Sequence, residues 1–536
     1  MRAALFLAGA LALASLPTGA SADGDKKEPE QRVEEFDALK PLHTFELPTK
    51  EGSISRIALA PDGSTLAICD KNRIDFWNLR TGKRATPAWE LAKGKEAWRL
   101  TFVTASAVAV WVSERAIDLY EYPSGKRTAQ LDLGKDEGGL TFLGADGLVL
   151  MSNFAETYAW GGAGWKRLWK FTDGQEFCPS QFSLSPDRGE FAIGSEHTCP
   201  YYLVLSAKDG KRLRKVDLDE RAYGRTCVAH THAGRVLVIG SRNTAKEDDP
   251  VAELCLYDGG KTRVLAQIRA GDEPQRLQMA SDGRSFVVAL TGRGEESVRF
   301  SALAIPELRS SCAVVFELST GSVRRTFSTP LHEEVTLLPR GREVLVYGPF
   351  KDVNVYSLRG AAAKDREPLG AARRRELWAA FALPNAAAAF DAMLELEARP
   401  ADAAKLIAEH VKPVPAVDAA TAKRLLAELG SNDFATRERA EAHLSELGAG
   451  IEGDVRAAAR GHDDPEVRTR AAALVKKLDN APANLRTARA VEVLEHADGP
   501  ECRVVLKALA GGAPGARLTR DAAASLARLV ARDPKP

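Results

Sequence analysis

Between His43 and Leu358 the apolar positions fall in short alternating or continuous blocks, broken by Pro, Asp and Gly. That is the pattern of strands joined by tight turns. The clearest unit runs Ile57-Ala58-Leu59-Ala60-Pro61-Asp62-Gly63-Ser64-Thr65-Leu66-Ala67-Ile68, followed by Ile74-Asp75-Phe76-Trp77-Asn78-Leu79-Arg80-Thr81-Gly82-Lys83. Weaker copies recur at roughly forty to sixty residues, near the period of propeller blades. Each unit predicts an alternating first strand, a turn and a Val/Leu/Ala-rich second strand buried on both faces. A third strand then ends in a Gly-containing turn, and a fourth, outer strand follows.

The first turns are Pro61-Asp62-Gly63, Thr104-Ala105-Ser106, Asp146-Gly147, Pro186-Asp187, Ala233-Gly234, Asp282-Gly283 and Pro339-Arg340-Gly341. They predict seven blades. An apolar strand at His43-Thr44-Phe45-Glu46-Leu47 precedes the first full unit, and the last unit stops after Leu358 without an outer strand. A ring sealed by the N-terminal strand removes the open edge. A solenoid or an open sheet has no need of these complementary truncations.

The pattern changes at Arg359. Residues 360–376 read as a linker rich in Ala, Gly and charge, and from 377 to 536 apolar residues recur at helical spacing. Val467, Ala471, Leu474 and Leu478 form one stripe, with Asp464 as N-cap and Pro465 at the first helical position. Ala422, Leu425, Leu426 and Leu429 stop before Gly430, and Phe434, Ala440, Leu444 and Leu447 before Gly448. Cys502, Val505, Leu506 and Leu509 stop before Gly511-Gly512. Gly just past a stripe suits a helix C-cap. The fold class expected is an all-β seven-bladed propeller (41–359) followed by an all-α helical domain.

The unit ALAPDGSTLAI followed by RIDFWNLRTGK resembles the WD-repeat (WD40) propeller family, although the family's Gly-His pair is absent and its Trp-Asp pair survives only as Trp77-Asn78. The stretches Ser431 to Leu447 and Asp464 to Leu478 resemble HEAT-type repeats, which implies an α-solenoid fragment. The whole arrangement is similar to exported bacterial WD-repeat proteins.

Export is also expected from the N-terminus. Arg2, the apolar run Ala3 to Leu16 and the small-x-small site Ala20-Ser21-Ala22 compose a signal peptide over residues 1–22. A charged leader without apolar periodicity, expected to be disordered, follows over 23–40. The expected location is periplasmic or extracellular, with no integral membrane segment after cleavage; retention of the signal segment as an anchor is the alternative. Among the seven Cys, Cys178 and Cys199 flank a predicted hairpin symmetrically, so they either form a disulfide or sit as two buried small side chains.

The formal net charge of +1 gives no global field toward nucleic acid or acidic membranes. No metal-protease, nucleophile-elbow, P-loop or dinucleotide-binding motif occurs. His230-Thr231-His232 places two imidazoles at strand spacing without an evident third ligand. The expectation is therefore no catalytic residue, no metal and no cofactor. The two longest connections between second and third strands lie in blades five and six, on one face of the disc. They make Arg242, Asn243, Lys246, Arg293 and Glu295 the candidate partner-binding residues. Arg373-Arg374-Arg375 reads as the start of a solvated helix. The leading functional expectation is a non-catalytic, exported scaffold for protein–protein interaction. The alternatives are a propeller enzyme of lactonase or quinoprotein-like type using the central channel, and a structural envelope component.

Overall fold

In a computed structural model, residues 33–35, 40–45, 56–113, 116–133, 141–145, 147–152, 156–172, 179–195, 201–218, 222–242, 251–258, 261–269, 273–280, 282–291, 299–300, 312–328, 334–348, 352–359 and 368–532 are described. Two short strands, β1 (Val33–Glu35) and β2 (His43–Phe45), precede blade 1, made of β3 (Arg56–Leu59), β4 (Thr65–Asp70), β5 (Arg73–Asn78) and β6 (Lys83–Glu90). Blade 2 is β7 (Arg99–Thr104), β8 (Ala107–Ser113), β9 (Ala116–Glu121) and β10 (Arg127–Asp132). Blade 3 is β11 (Thr141–Ala145), β12 (Leu148–Ser152), β13 (Glu156–Gly161) and β14 (Lys166–Thr172). Blade 4 is β15 (Pro179–Leu184), β16 (Glu190–Ser195), β17 (Tyr201–Ser206) and β18 (Arg212–Asp217). Blade 5 is β19 (Ala222–His230), β20 (Val236–Arg242), β21 (Val251–Asp258) and β22 (Lys261–Arg269), with β25 (Arg299–Phe300) added outside β22. Blade 6 is β23 (Glu273–Met279), β24 (Ser285–Thr291), β26 (Cys312–Glu317) and β27 (Val323–Ser328). Blade 7 is β28 (Glu334–Leu337), β29 (Glu343–Tyr347) and β30 (Val353–Ser357).

The ring closes as its truncated ends require. β2 pairs antiparallel with β30, setting His43 opposite Val355 and Phe45 opposite Val353. Phe45 is fully buried among Leu66, Leu345 and Val353, so this one strand joins the packing of blade 7 to that of blade 1. The short β1 lies inside the stretch expected to be a disordered leader. It pairs parallel with β27 as a fifth strand of blade 6. Three residues are too few to show alternation, which is why periodicity misses it.

Second strands are buried on both faces, as in Leu66-Ala67-Ile68-Cys69, because blades stack on either side of them. Neighbouring blades are also latched at the rim. The Trp89 indole of blade 1 lies over the turn at Gly125 of blade 2, and that of Trp169 in blade 3 over Gly210 in blade 4, donating from Nε1 to Ala207 O at 3.0 Å. Both glycines have φ near +70°, and a Cβ on Gly210 would sit 2.6 Å from the Trp169 ring. Only glycine meets both demands. Asn78 ends the third strand of blade 1 by accepting from the backbone N–H groups of Arg80 and Thr81, which bends the chain into its Gly82 turn.

The C-terminal region is all-helical: α1 (Ala371–Ala380), α2 (Ala386–Glu397), α3 (Pro400–His410), α4 (Ala419–Glu428), α5 (Phe434–Leu447), α6 (Glu452–Gly461), α7 (Pro465–Asp479), α8 (Ala483–Ala497), α9 (Pro500–Ala510) and α10 (Arg517–Arg532). The first helix begins at Ala371, inside the stretch expected to be linker. Asp464 caps α7 by accepting from Glu466 N at 2.8 Å, with Pro465 at the first helical position. Helices α4 to α7 share one apolar core around Leu425, Leu444, Val455 and Leu474. Helices α1, α2, α3, α8, α9 and α10 belong to a second core, which runs without a break into Val315, Phe327, Val344 and Tyr356 of blades 6 and 7. No helix among the described residues is long and apolar enough to cross a membrane.

Candidate functional site at the propeller–helix junction

The seat of the helices on the disc is built from charge. Helix α8 is covered on every side: Arg489 through His496 are all buried, eight residues in succession. Its Arg489, Glu492, Glu495 and His496 recur at helical spacing and face the propeller. They meet groups from the turns after the first strands of blades 6 and 7, namely Asp282, Arg284 and Arg342. They also meet Glu317 and Arg324, which flank the turn before the outer strand of blade 6.

Glu492 accepts from Arg324 at 2.6 and 2.9 Å and from Arg342 at 2.8 Å. Arg342 also donates to Glu397 of α2 at 2.6 Å, and Arg324 to Glu317 at 2.9 Å. Glu317 takes both Nε and Nη2 of Arg489, at 2.9 and 2.7 Å. Glu495 joins Arg284 of blade 6 to Arg528 of α10. Arg359 reaches Glu397 and the carbonyl of His496. Six arginines thus face five carboxylates, counting Asp282, which lies 3.1 Å from His496 Nε2 and accepts from it in the tautomer that carries its proton there. The Phe390 ring of α2 lies under both Arg324 and Arg342, its centroid 5.1 and 5.0 Å from their guanidinium carbons.

The titration behaviour follows from this geometry. Burial opposes ionisation of Glu492, but the charges of Arg324 and Arg342 outweigh it and hold the carboxyl well below its usual range. Burial likewise opposes Glu495, yet the Arg528 hydrogen bonds and the charge of Arg284 bring it down to about 2. His496 moves the other way relative to its charge: burial, then the nearby Arg342, keep the imidazole neutral well below its ordinary value.

Asp282, Glu492 and His496 bring ligand-type atoms within 4.8 Å of one another. The cluster is an ion lattice and not a cation site. Both oxygens of Glu492 are already committed to guanidinium groups, and an entering cation would meet Arg324, Arg342 and Arg284 at close range.

Of the residues singled out in the sequence, Arg242 ends β20 opposite Val251, at the edge of the disc face away from the helices. Asn243, Lys246, Arg293 and Glu295 lie outside the described residues, as do Cys178 and Cys199. The two imidazoles of the His230 pair diverge, because Thr231 starts a turn. His230 packs onto blade 4, with Nδ1 2.9 Å from Ser183 O and Nε2 3.5 Å from Glu190. His232 lies against the Gly283 turn of blade 6. Burial lowers the affinity of both for a proton. Arg373 pairs with Glu395 and Glu376 on the helical surface. In the ring interior, Gln181 of β15 reaches past β19, donating to Leu277 O of β23 at 2.6 Å and accepting from Leu277 N at 3.3 Å.

Sequence reasoning missed the charges on α8. The available signal was a helical stripe of Arg489, Glu492 and His496 embedded among Ala490, Val491, Val493 and Leu494, apolar neighbours that leave no face for water.

No family model matches this chain, and no curated protein matches it. Among solved structures, a chain of the "Crystal Structure of Mitotic Checkpoint Complex" matches at 11% identity and a TM-score of 0.46, covering 65% of this chain and 99% of that one. A chain of "Kuenenia stuttgartiensis Hydrazine Synthase" matches at 12% identity and a TM-score of 0.44, covering 58% of this chain and 97% of that one. The propeller assignment rests on the strand pairing of the chain itself.

Proposed function

We propose that this chain is a non-catalytic, exported interaction scaffold, a WD-repeat-type propeller with a HEAT-like helical region fixed to one face. The observation that carries the reading is the buried ion lattice. It seats the helices on the turns of blades 6 and 7, and among the described residues it involves none from blades 1 to 4, whose turns and rim are offered to partners. A ring that holds many loops in one frame suits recognition. A helical region held rigidly beside it enlarges the surface that one partner can read. The signal-peptide pattern supports export, and the partner expected is another protein.

The test is in-cell crosslinking of the full chain followed by mass spectrometry. The expected result is one recurrent partner, crosslinked through the propeller surface and lost when Arg242, Lys246 and Arg293 are all replaced by Ala. Absence of any recurrent partner overturns the reading, as does substrate turnover by the purified chain that depends on residues inside the ring.

A further inference from the structure

The outer strands of blades 1 to 4 open alike, with Lys83-Arg84, Lys126-Arg127, Lys166-Arg167 and Lys211-Arg212, all exposed. In blades 1 and 2 the arginine turns onto a buried carboxylate of the preceding strand, Asp75 and Asp118. In blades 3 and 4 the next residue is a leucine, Leu168 or Leu213, 45% and 51% exposed. Blade 4 is the most basic: Lys211-Arg212-Leu213-Arg214-Lys215 places four cations in five residues. Arg214 is held by Glu190. Lys211 and Lys215 lie 3.2 and 3.7 Å from the exposed Asp209 and Asp217, contacts that water weakens.

Among the described residues β18 is also the outermost strand of its sheet and pairs with β17 alone. An edge strand offers a row of backbone donors and acceptors, and cations along it disfavour neutral and basic strands while leaving an acidic one free to pair. Other blades of the same ring accept such an addition. β27 takes β1 (Val33–Glu35) as a parallel fifth strand, with Val33 opposite Thr326, and β22 takes β25, so backbone addition alone has precedent in this ring. By contrast β6 contains Pro87 and two irregularities of register, which make it a poor template.

We infer that the outer edge of blade 4 is a docking edge for an extended acidic segment of a partner protein, added to β18 as a fifth strand. Main-chain hydrogen bonds would supply the affinity, and Lys211, Arg212 and Lys215 the preference for carboxylates. Leu213 offers the apolar contact. The inference rests on the scaffold reading and deepens it.

The probe is a labelled synthetic peptide of alternating glutamate and valine, titrated into the full chain at low salt. Anisotropy reads binding, and hydrogen exchange reads the backbone. The expected result is saturable binding that weakens with salt, with slowed exchange confined to residues 212–217. The double variant K211E/R212E should weaken it by about tenfold or more while leaving the melting temperature unchanged. A lysine–valine peptide should not bind. No binding, or binding without protection of 212–217, overturns strand addition. An inorganic polyphosphate that binds as tightly and is lost in the same variant overturns the assignment to a peptide. Crosslinks from a partner that never reach β18, wherever else on the disc they fall, sink this edge and leave the scaffold reading standing. Absence of any partner sinks the scaffold reading without altering the peptide titration.

Discussion

Glu492→Ala tests whether the helices are held by charge. The carboxylate joins two guanidinium groups from two blades, and all three side chains are 1–2% exposed. Deleting one member of a buried ion pair costs about 3–5 kcal/mol, because the partner is left charged and dry. Here neither arginine loses every acceptor: Arg324 keeps Glu317 and the Ser285 hydroxyl, and Arg342 keeps Glu397. The lower end, about 3 kcal/mol, is therefore expected. For a unit the size of the helical region this is a shift of roughly 10 °C. Differential scanning calorimetry should show an early helical transition split from that of the propeller, with faster tryptic cleavage between Arg359 and Ala371. The cycle with Arg324→Met should be strongly non-additive, since the second substitution removes the charge that the first one strands. A Glu492→Ala protein within about 0.5 kcal/mol of the parent, or an additive cycle, would refute the reasoning.

Acid should loosen the same junction. Glu317, Glu492 and Glu495 are all held below the ordinary 4.5 in the folded chain, Glu495 at about 2. The unfolded carboxyls bind protons first, so the stability they lend is complete above about pH 4.5 and is lost as the pH falls toward 2. His496 acts in the same direction from its ordinary 6.5 downward, because the unfolded imidazole takes a proton that the buried one refuses. Asp521, raised by burial, opposes them. Melting temperatures from pH 7 to pH 3 should fall steadily, and a flat profile would contradict the lattice. Separately, Phe45→Ala should cost about 3–5 kcal/mol, because Phe45 is fully buried where the ring closes. Urea unfolding of the propeller measures it, and a loss below about 1 kcal/mol would mean that closure does not depend on this strand.

Most of the ring was legible because strand and turn chemistry is local. Pro61-Asp62-Gly63 and the alternating residues beside it set a hairpin without help from the rest of the chain, and the missing outer strand of blade 7 implies its own replacement by β2. The helices were legible through Asp464-Pro465 and the apolar stripes that stop at Gly430 and Gly448. The docking of one region on the other was not. Glu492 and Arg324 lie 168 positions apart, and a charged residue reads as solvated until its partner is known. The His230 pair failed for a related reason: strand spacing puts both imidazoles on one face only while the strand continues, and β19 ends at His230. The α8 stripe shows the remedy, since charges flanked on both sides by valine and leucine have no solvent face to occupy.

Charge at this junction calls for a reason other than stability, because a buried ion pair adds little net free energy over a well-packed apolar substitute. The reason the geometry suggests is uniqueness of seat. Leucines on α8 could slide over the apolar flank of blades 6 and 7, but arginine forks from the turns at Arg284 and Arg342 and from the strand at Arg324 meet their carboxylates in one position alone. The double variant Arg324→Met and Glu492→Leu separates the two roles, because Glu317 then keeps Arg489 and Arg342 keeps Glu397. Its melting temperature should stay closer to the parent than that of Glu492→Ala, since fewer charges are stranded. Spin-label distances between the rim of blade 4 and α5 should nevertheless broaden. A distance distribution as narrow as the parent's would show that apolar packing alone fixes the seat. The helices and the outer edge of β18 would then keep their relation without any help from the lattice.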